Sequence, residues 1–89
     1  MQDSHDIVTT LDLTGLKCPL PVLKARRAVK AMADHGETGV IAVLADDPAA
    51  PLDFQHFCDT SGLALLRNDA EGGVFTLHIE VCADSLQSN

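Results

Sequence analysis

The chain has 89 residues and a mass of 9.4 kDa, which suffices for one hydrophobic core and is too short for two. Thirteen Asp or Glu outnumber six Lys or Arg, for a formal charge of −7, and the sequence has no Trp, no Tyr and three Phe. An acidic chain so poor in stacking aromatics is not expected to bind nucleic acid directly. No apolar run reaches the ~18 residues of a membrane span. Residues 1–6 lack the features of a signal peptide, so we expect a cytoplasmic protein that does not bind membranes.

Three cysteines are spread irregularly along the chain, at Cys18, Cys58 and Cys82. A disulfide-stabilised secreted domain would carry an even and denser set. The sequence holds no C-x-x-C pair, and no His or second Cys stands at helical spacing from Cys18, so we expect no metal site. Free thiols in a reducing compartment fit this pattern, and at least one of them is a candidate for a reactive group.

The first predicted elements are a strand and a helix. A strand is predicted from Ile7 to Leu13, with Ile7, Leu11 and Leu13 on one side. Prolines at positions 19 and 21 are tolerated only in the first turn of a helix, so the helix should begin at or just after Cys18 and end near Gly36. Its predicted apolar arc consists of Val22, Ala25, Ala28, Val29, Met32 and Ala33.

A second strand and a second helix follow. The run from Gly39 to Ala45 is continuously apolar, which is typical of a central strand. After a turn at residues 46–48, a shorter helix is predicted over about residues 51–61, with Gly62 as its stop. Its inward side chains are expected to be Phe54, Phe57 and Cys58.

The last third of the chain predicts two strands joined by a hairpin. We expect a third strand over residues 63–67, a turn at Glu71-Gly72-Gly73, and a strand over residues 74–81 that alternates strictly. In the last strand Phe75, Leu77, Ile79 and Val81 would face one way, and Thr76, His78 and Glu80 the other.

These elements predict a single α+β domain of order β-α-β-α-β-β over residues 7–82. Two helices can cover one face of a four-stranded mixed sheet, which makes a two-layer α/β sandwich. The order of the strands in the sheet stays open at this point. Residues 1–6 and 83–89 are expected to be flexible ends.

Charge is distributed unevenly along the chain. Five of the six basic residues and no acidic residue fall within positions 17–30, so this segment has a charge of +5. The rest of the chain then has a charge of −12, for the total of −7. The four that follow the first turn of the helix are candidates for docking an acidic partner surface: Lys24, Arg26, Arg27 and Lys30.

Cys18 lies where this basic stretch meets the predicted start of the first helix. The positive end of a helix dipole favours a thiolate, and Lys17 next to it would add to that effect, so we expect a lowered pKa for Cys18. Pro19 and Pro21 would make the site stiff. The alternative is that Cys18 is a small buried hydrophobic residue, as many cysteines are.

The segment Gly15-Leu16-Lys17-Cys18-Pro19-Leu20-Pro21 resembles the CPxP signature of the TusA/SirA-like sulfur-carrier family. The resemblance continues through Asp46-Asp47-Pro48-Ala49, a motif match without an assignable chemical role, and through Phe57-Cys58. It implies a βαβαββ two-layer sandwich, the order predicted above.

The same resemblance implies a sulfur relay. Cys18 would accept sulfane sulfur from a cysteine desulfurase, a rhodanese or a related donor, hold it as a persulfide, and pass it to an acceptor cysteine. Gly15, Lys17, Pro19 and Pro21 would shape the site, with no cofactor and no metal. The chain would be a sulfurtransferase only as a relay carrier, without independent turnover. The acceptor pathway stays open among tRNA thiolation, sulfur oxidation, thiosulfate use and cofactor assembly.

Two other hypotheses also stay open. One is an adaptor that docks through the basic helix and does not use its thiol. The other is a redox sensor that pairs Cys18 with Cys82. Cys58 is expected to be a core residue, and the polar face bearing His78 to be solvated or to form a weak dimer, so that the protein is a monomer or a weak dimer.

Overall fold

The structure, a computed structural model, describes residues 7–81. The elements are β1 (Ile7–Asp12), α1 (Leu20–Asp34), β2 (Gly39–Ala45), α2 (Ala50–Ser61), β3 (Ala64–Glu71) and β4 (Val74–Val81). The predicted order of elements and the α+β class are confirmed. The flexibility predicted for the two ends, and every role considered for Cys82, lie outside the described residues.

The four strands form one mixed sheet in the order β1-β2-β4-β3. β1 runs parallel to β2, and the other two pairs are antiparallel. β2 is therefore central, as its continuous apolar sequence predicted, with five of its seven residues buried. The order that the sequence left open is decided by β4, which inserts between β2 and β3.

Both helices pack on one face of the sheet and enclose the core. α1 contributes Ala25, Val29 and Met32, which belong to the predicted apolar arc, and α2 contributes Phe54 and Phe57. The sheet supplies five further large members of this core: Ile41, Val43, Leu77, Ile79 and Val81. The two-layer sandwich is thus confirmed, and burial of these side chains is its main source of stability.

The hairpin between β3 and β4 has the turn that its sequence predicted. Glu71 pairs with Val74, and Gly72 and Gly73 form a two-residue turn with φ angles of +62° and +84°. Hairpin turns of this length need positive φ at these positions, which glycine adopts without a steric penalty.

Two predicted details of the strands were wrong. The third strand was expected to end at Arg67, but β3 continues to Glu71, because backbone pairing with β4 extends an edge strand through polar residues that lack an apolar pattern. Ile7 was expected to share a face with Leu11. A register irregularity between Ile7 and Thr9 instead pairs Ile7 with Val40, and its side chain is 49% exposed.

None of the helices in the described part of the chain is long and apolar enough to cross a membrane.

Candidate functional site

The loop that carries Cys18 lies beside the loop that follows β2. Because β1 and β2 are parallel neighbours, their carboxyl ends meet at the same edge of the sheet. The N–H of Leu13 donates to the carbonyl of Leu44 over 2.8 Å, which keeps the two strands paired up to this edge. The segment predicted to form the site and the Asp46-Asp47 motif are thereby brought into contact.

The two aspartates hold the Cys18 loop through its backbone. Asp46 Oδ1 accepts a hydrogen bond of 2.9 Å from the N–H of Gly15, and Asp47 Oδ2 accepts one from the N–H of Cys18. Asp47 Oδ1 also accepts the N–H of Ala49 over 3.2 Å. The motif thus has a structural role that its sequence position did not reveal: it positions the residue proposed to react.

These hydrogen bonds explain the ionisation of Asp47. The N–H groups of Cys18 and Ala49 stabilise the carboxylate and hold the pKa of Asp47 below its usual range, and the charge of Lys17 acts in the same direction. Lys17 was expected to favour the Cys18 thiolate. Its charge instead lowers the pKa of Asp47, and the charged groups that shift the pKa of Cys18 are Asp53 and Asp47.

Gly15, Pro19 and Pro21, which were expected to shape the site, each constrain the backbone near Cys18. Gly15 has a φ of +86°, a conformation that favours glycine, and the Cys18–Pro19 peptide bond is cis. Pro19 is the residue at which α1 is capped, and Pro21 lies buried in the first turn. Both prolines therefore stand at the helix start, as predicted.

α1 begins at Leu20, so Cys18 lies just before the helix and not in its first turn. The Cys18 side chain is exposed, which does not fit the alternative of a small buried core residue. It opens onto a groove of about 650 Å³ between the two helices, called here the Cys18 groove. α1 lines this groove with Val22 and Arg26.

α2 forms the opposite wall of the Cys18 groove. Leu52 and Phe57 make that wall largely apolar, and Asp53 and His56 add two polar groups. Leu52 is 72% exposed, and Leu20 and Leu23 on the outer side of α1 are 45% and 49% exposed. Exposed apolar side chains are therefore present in the groove at Leu52 and on the first residues of α1 at Leu20 and Leu23, a feature that the sequence did not indicate.

The expected lowering of the Cys18 pKa was wrong. Hydrogen bonding to the carboxylate of Asp53, which lines the same groove, raises the pKa of Cys18. Partial desolvation and the negative charges of Asp53 and Asp47 act in the same direction. These two carboxylates come from α2 and from the loop after β2, so they are distant from Cys18 in the sequence.

The four candidate docking residues are all exposed on α1. Arg26 lines the groove, whereas Lys30 lies 3.4 Å from Asp34 in an ion pair one turn along the same helix. The basic residues are thus exposed on a helix that borders the groove, and Arg26 is the one of the four that lines it.

Cys58 lies in the core, as predicted. It is 2% exposed on the inner side of α2, and burial together with the charge of Asp59 raises its pKa to about 11. Of the two cysteines that the structure describes, Cys18 is the accessible one.

Comparison with known proteins agrees with this geometry. Residues 9–81 match the family model described as Sulfurtransferase TusA. A protein of Neisseria meningitidis serogroup A, provisionally named as a sulfur carrier, is 49% identical over 71 residues, which cover 80% of this chain and 92% of that protein. The sulfur carrier protein TusA of Allochromatium vinosum is 40% identical over 70 residues, covering 79% of this chain and 88% of the relative.

A solved structure has the same fold. The SirA-like protein from Desulfitobacterium hafniense superposes with a TM-score of 0.72 at 26% identity, covering 82% of this chain and 96% of that one. The match includes the four-stranded sheet and the two helices that position the Cys18 loop. Together with the family match over residues 9–81, this likeness shows that the chain belongs to the TusA family of sulfur carriers.

Proposed function

We propose that Cys18 carries sulfane sulfur as a persulfide between a donor protein and an acceptor protein. The Cys18 thiolate attacks the outer sulfur of the donor persulfide, so that a new S–S bond forms as the donor S–S bond breaks. The donor cysteine leaves as a thiolate and takes up the proton that Cys18 lost. An acceptor thiolate then attacks the same sulfur and releases Cys18, with no net oxidation or reduction.

The observation that carries this proposal is the position of Cys18: an exposed thiol on a backbone held by Asp47, at the mouth of an open groove. Exchange between two proteins requires that the sulfur be reached by each partner in turn. The open groove provides that access, and the membership of the chain in a family of sulfur carriers agrees with it.

The surface around Cys18 supports docking of both partners. Leu20, Leu23 and Leu52 offer apolar contact, and the basic residues of α1 offer complementarity to an acidic partner surface. We propose a cysteine desulfurase or a rhodanese as the donor and a cysteine-bearing protein as the acceptor. The reaction needs a reduced thiol, which the cytoplasm maintains.

The test is transfer of one sulfur atom to the protein. Incubation with a cysteine desulfurase and cysteine, or with a rhodanese and thiosulfate, is expected to raise the intact mass by one sulfur, and this gain should disappear after treatment with dithiothreitol. Peptide mapping should place the added sulfur on Cys18.

Matched variants identify the carrier residue. Cys18→Ser should abolish the gain, and Cys58→Ala, which removes the buried thiol, should keep it. A wild-type protein that takes up no sulfur from either donor, or a Cys18→Ser variant that still does, would contradict the proposal. A full biological function in the Cys18→Ser variant would favour the adaptor alternative.

A further inference from the structure

β3 forms one edge of the sheet, since the strand order is β1-β2-β4-β3 and no strand among residues 7–81 pairs with its outer side. It is eight residues long, and seven of them are exposed. It contains neither proline nor lysine, two residues by which edge strands commonly avoid pairing with other chains. A register irregularity lies between Leu65 and Arg67, and regular pairing with β4 runs from Arg67 to Glu71. The outer side of β3 is therefore a strand edge open to a further strand.

Alternate residues of β3 direct their backbone groups to this outer edge. Glu71 and Val74 flank the two-residue turn, so they form a hydrogen-bonded pair, and such pairs recur at every second residue of the ladder. Asn68 and Ala70 fall between these pairs, so their N–H and C=O groups point away from β4. These groups are placed to bond a strand of another molecule.

The charged side chains of β3 are arranged symmetrically about Asn68. Arg67 and Asp69 flank it on the same side of the sheet and form an ion pair of 2.5 Å. When two copies of β3 pair antiparallel about a two-fold axis at Asn68, Arg67 of each copy lies opposite Asp69 of the other. The same register sets Leu66, which is 40% exposed, opposite Ala70 of the second copy. The edge is therefore complementary to itself in charge as well as in backbone.

The other edge of the sheet does not offer this pattern. β1 has six residues, and its one charged residue, Asp12, stands at its end. An antiparallel pair of β1 strands therefore brings no opposite charges together. The register irregularity between Ile7 and Thr9 also interrupts β1 near its start.

We propose that the outer edge of β3 pairs with the same edge of a second copy of this chain, antiparallel and centred on Asn68. The two sheets then join into one of eight strands, with opposite charges facing each other across the junction. The contact is small and each copy has a net charge of −7, so the dimer is weak. This contact lies at the sheet edge and not on the polar face bearing His78, where the sequence suggested a weak dimer.

The experiment is sedimentation of the reduced full chain over a concentration series up to about 1 mM, the range in which weak complexes assemble. Wild type is expected to shift from monomer to dimer as the concentration rises. Arg67→Asp and Asp69→Arg each place like charges opposite each other across the junction, so either variant alone should stay monomeric. An equimolar mixture of the two variants should form a mixed dimer, since every facing pair is then of opposite sign.

The mixture separates pairing between molecules from pairing within one. Neither variant can form the internal ion pair of Arg67 with Asp69, so recovery of the dimer requires contact between two chains. Arg27→Asp and Glu37→Arg are the matched controls, because they make the same changes in net charge at exposed positions outside β3. Each control should still form the dimer on its own.

Hydrogen exchange locates the contact. The backbone amides of Asn68 and Ala70 should exchange more slowly at high than at low protein concentration, and those of α1 should be unchanged. A wild-type chain that stays monomeric up to about 1 mM, a dimer that survives both single substitutions, or a mixture that stays monomeric would overturn the inference.

The outcome is independent of the sulfur relay, because dimerisation needs no persulfide. A chain that dimerises but takes up no sulfur would contradict the proposed function alone, and a monomeric chain that carries sulfur would contradict the dimer alone. Transfer assays at low protein concentration, where the chain is monomeric, are unaffected by this contact.

Discussion

The backbone N–H of Cys18 donates to a carboxylate 29 residues further along the chain. Such a bond is charge-assisted, and it ties the position of the proposed reactive residue to the ionisation of Asp47. Because Asp46 holds Gly15 in the same way, the loop is fixed at two points between the end of β1 and the start of α1. Asp46 and Asp47 together therefore hold the backbone of the loop that carries Cys18.

Removal of Asp47 should destabilise the protein in a pH-dependent manner. The pKa of Asp47 is lowered in the folded state, so its contribution to stability is present above the unfolded value of about 3.9 and is lost as the pH falls through the folded value. We therefore expect Asp47→Ala to lower the free energy of unfolding at pH 7, and the difference from wild type to shrink toward about pH 2. Urea unfolding at a series of pH values measures this difference.

Glu37→Ala serves as the control for Asp47→Ala, since Glu37 is an exposed carboxylate outside the site. Its effect should be small at every pH. A difference between wild type and Asp47→Ala that stays constant from neutral to acid pH would show that the carboxylate charge does not hold the loop.

At the scale of elements, α2 contributes both to the core and to the site, and Phe57 takes part in each. Its inner side buries Phe54, Phe57 and Cys58 against the sheet, and its outer side carries Leu52 and His56 along the Cys18 groove. One helix therefore both completes the core and supplies a wall of the site. Substitutions on its two sides should have different consequences.

Phe54→Ala and Leu52→Ala test this division within one helix. Phe54 is fully buried, so its truncation removes core contacts and leaves a cavity, at an expected loss of about 3 to 5 kcal/mol in the free energy of unfolding. Leu52 is 72% exposed, and its truncation should change stability by less than about 0.5 kcal/mol. Chemical denaturation of the two variants provides the measurement. Similar losses for both would mean that Leu52 is part of the core.

At the scale of the whole molecule, α1 carries a cluster of exposed basic residues, whereas the rest of the chain is acidic. The net charge of −7 conceals this arrangement, since five of the six basic residues lie between positions 17 and 30. Fields of opposite sign on one small protein orient an approaching charged partner and raise its association rate. The basic residues lie beside the groove, so a partner oriented by them would arrive near Cys18.

Charge reversal at Arg27 should slow sulfur transfer from a donor protein. Arg27 is exposed on α1 and does not line the groove, so Arg27→Glu changes the surface without touching the thiol. We expect a fall of roughly tenfold in the transfer rate at low salt, which fades as the ionic strength rises. Single-turnover transfer from a persulfide-loaded rhodanese measures both effects.

Arg67→Glu provides the matched control on β3, with the same change in net charge at an exposed position. It should reduce the transfer rate less than Arg27→Glu does. Equal losses for the two variants would mean that total charge, and not the basic surface of α1, governs the encounter.

Much of the fold and the centre of the site were predictable from local sequence. The apolar arc of α1, the continuous apolar run of β2, the alternation of β4 and the Gly72-Gly73 turn each depend on residues close together in the chain. The motif around Cys18 indicated the family for the same reason. The extension of β3 and the exposure of Ile7 escaped prediction because pairing with a neighbouring strand decides them.

The sequence by itself determined the order of the elements, most core side chains and Cys18 as the candidate reactive thiol, since periodicity, turn chemistry and short motifs are local properties. Only the tertiary structure decided what surrounds that thiol. Parallel pairing of β1 with β2 brings Asp47 to the Cys18 backbone, and the packing of α2 places Asp53 in the groove onto which Cys18 opens. Helix position and neighbouring lysine predicted a lowered pKa, and the two carboxylates raise it, because electrostatic effects on a side chain depend on distance in space.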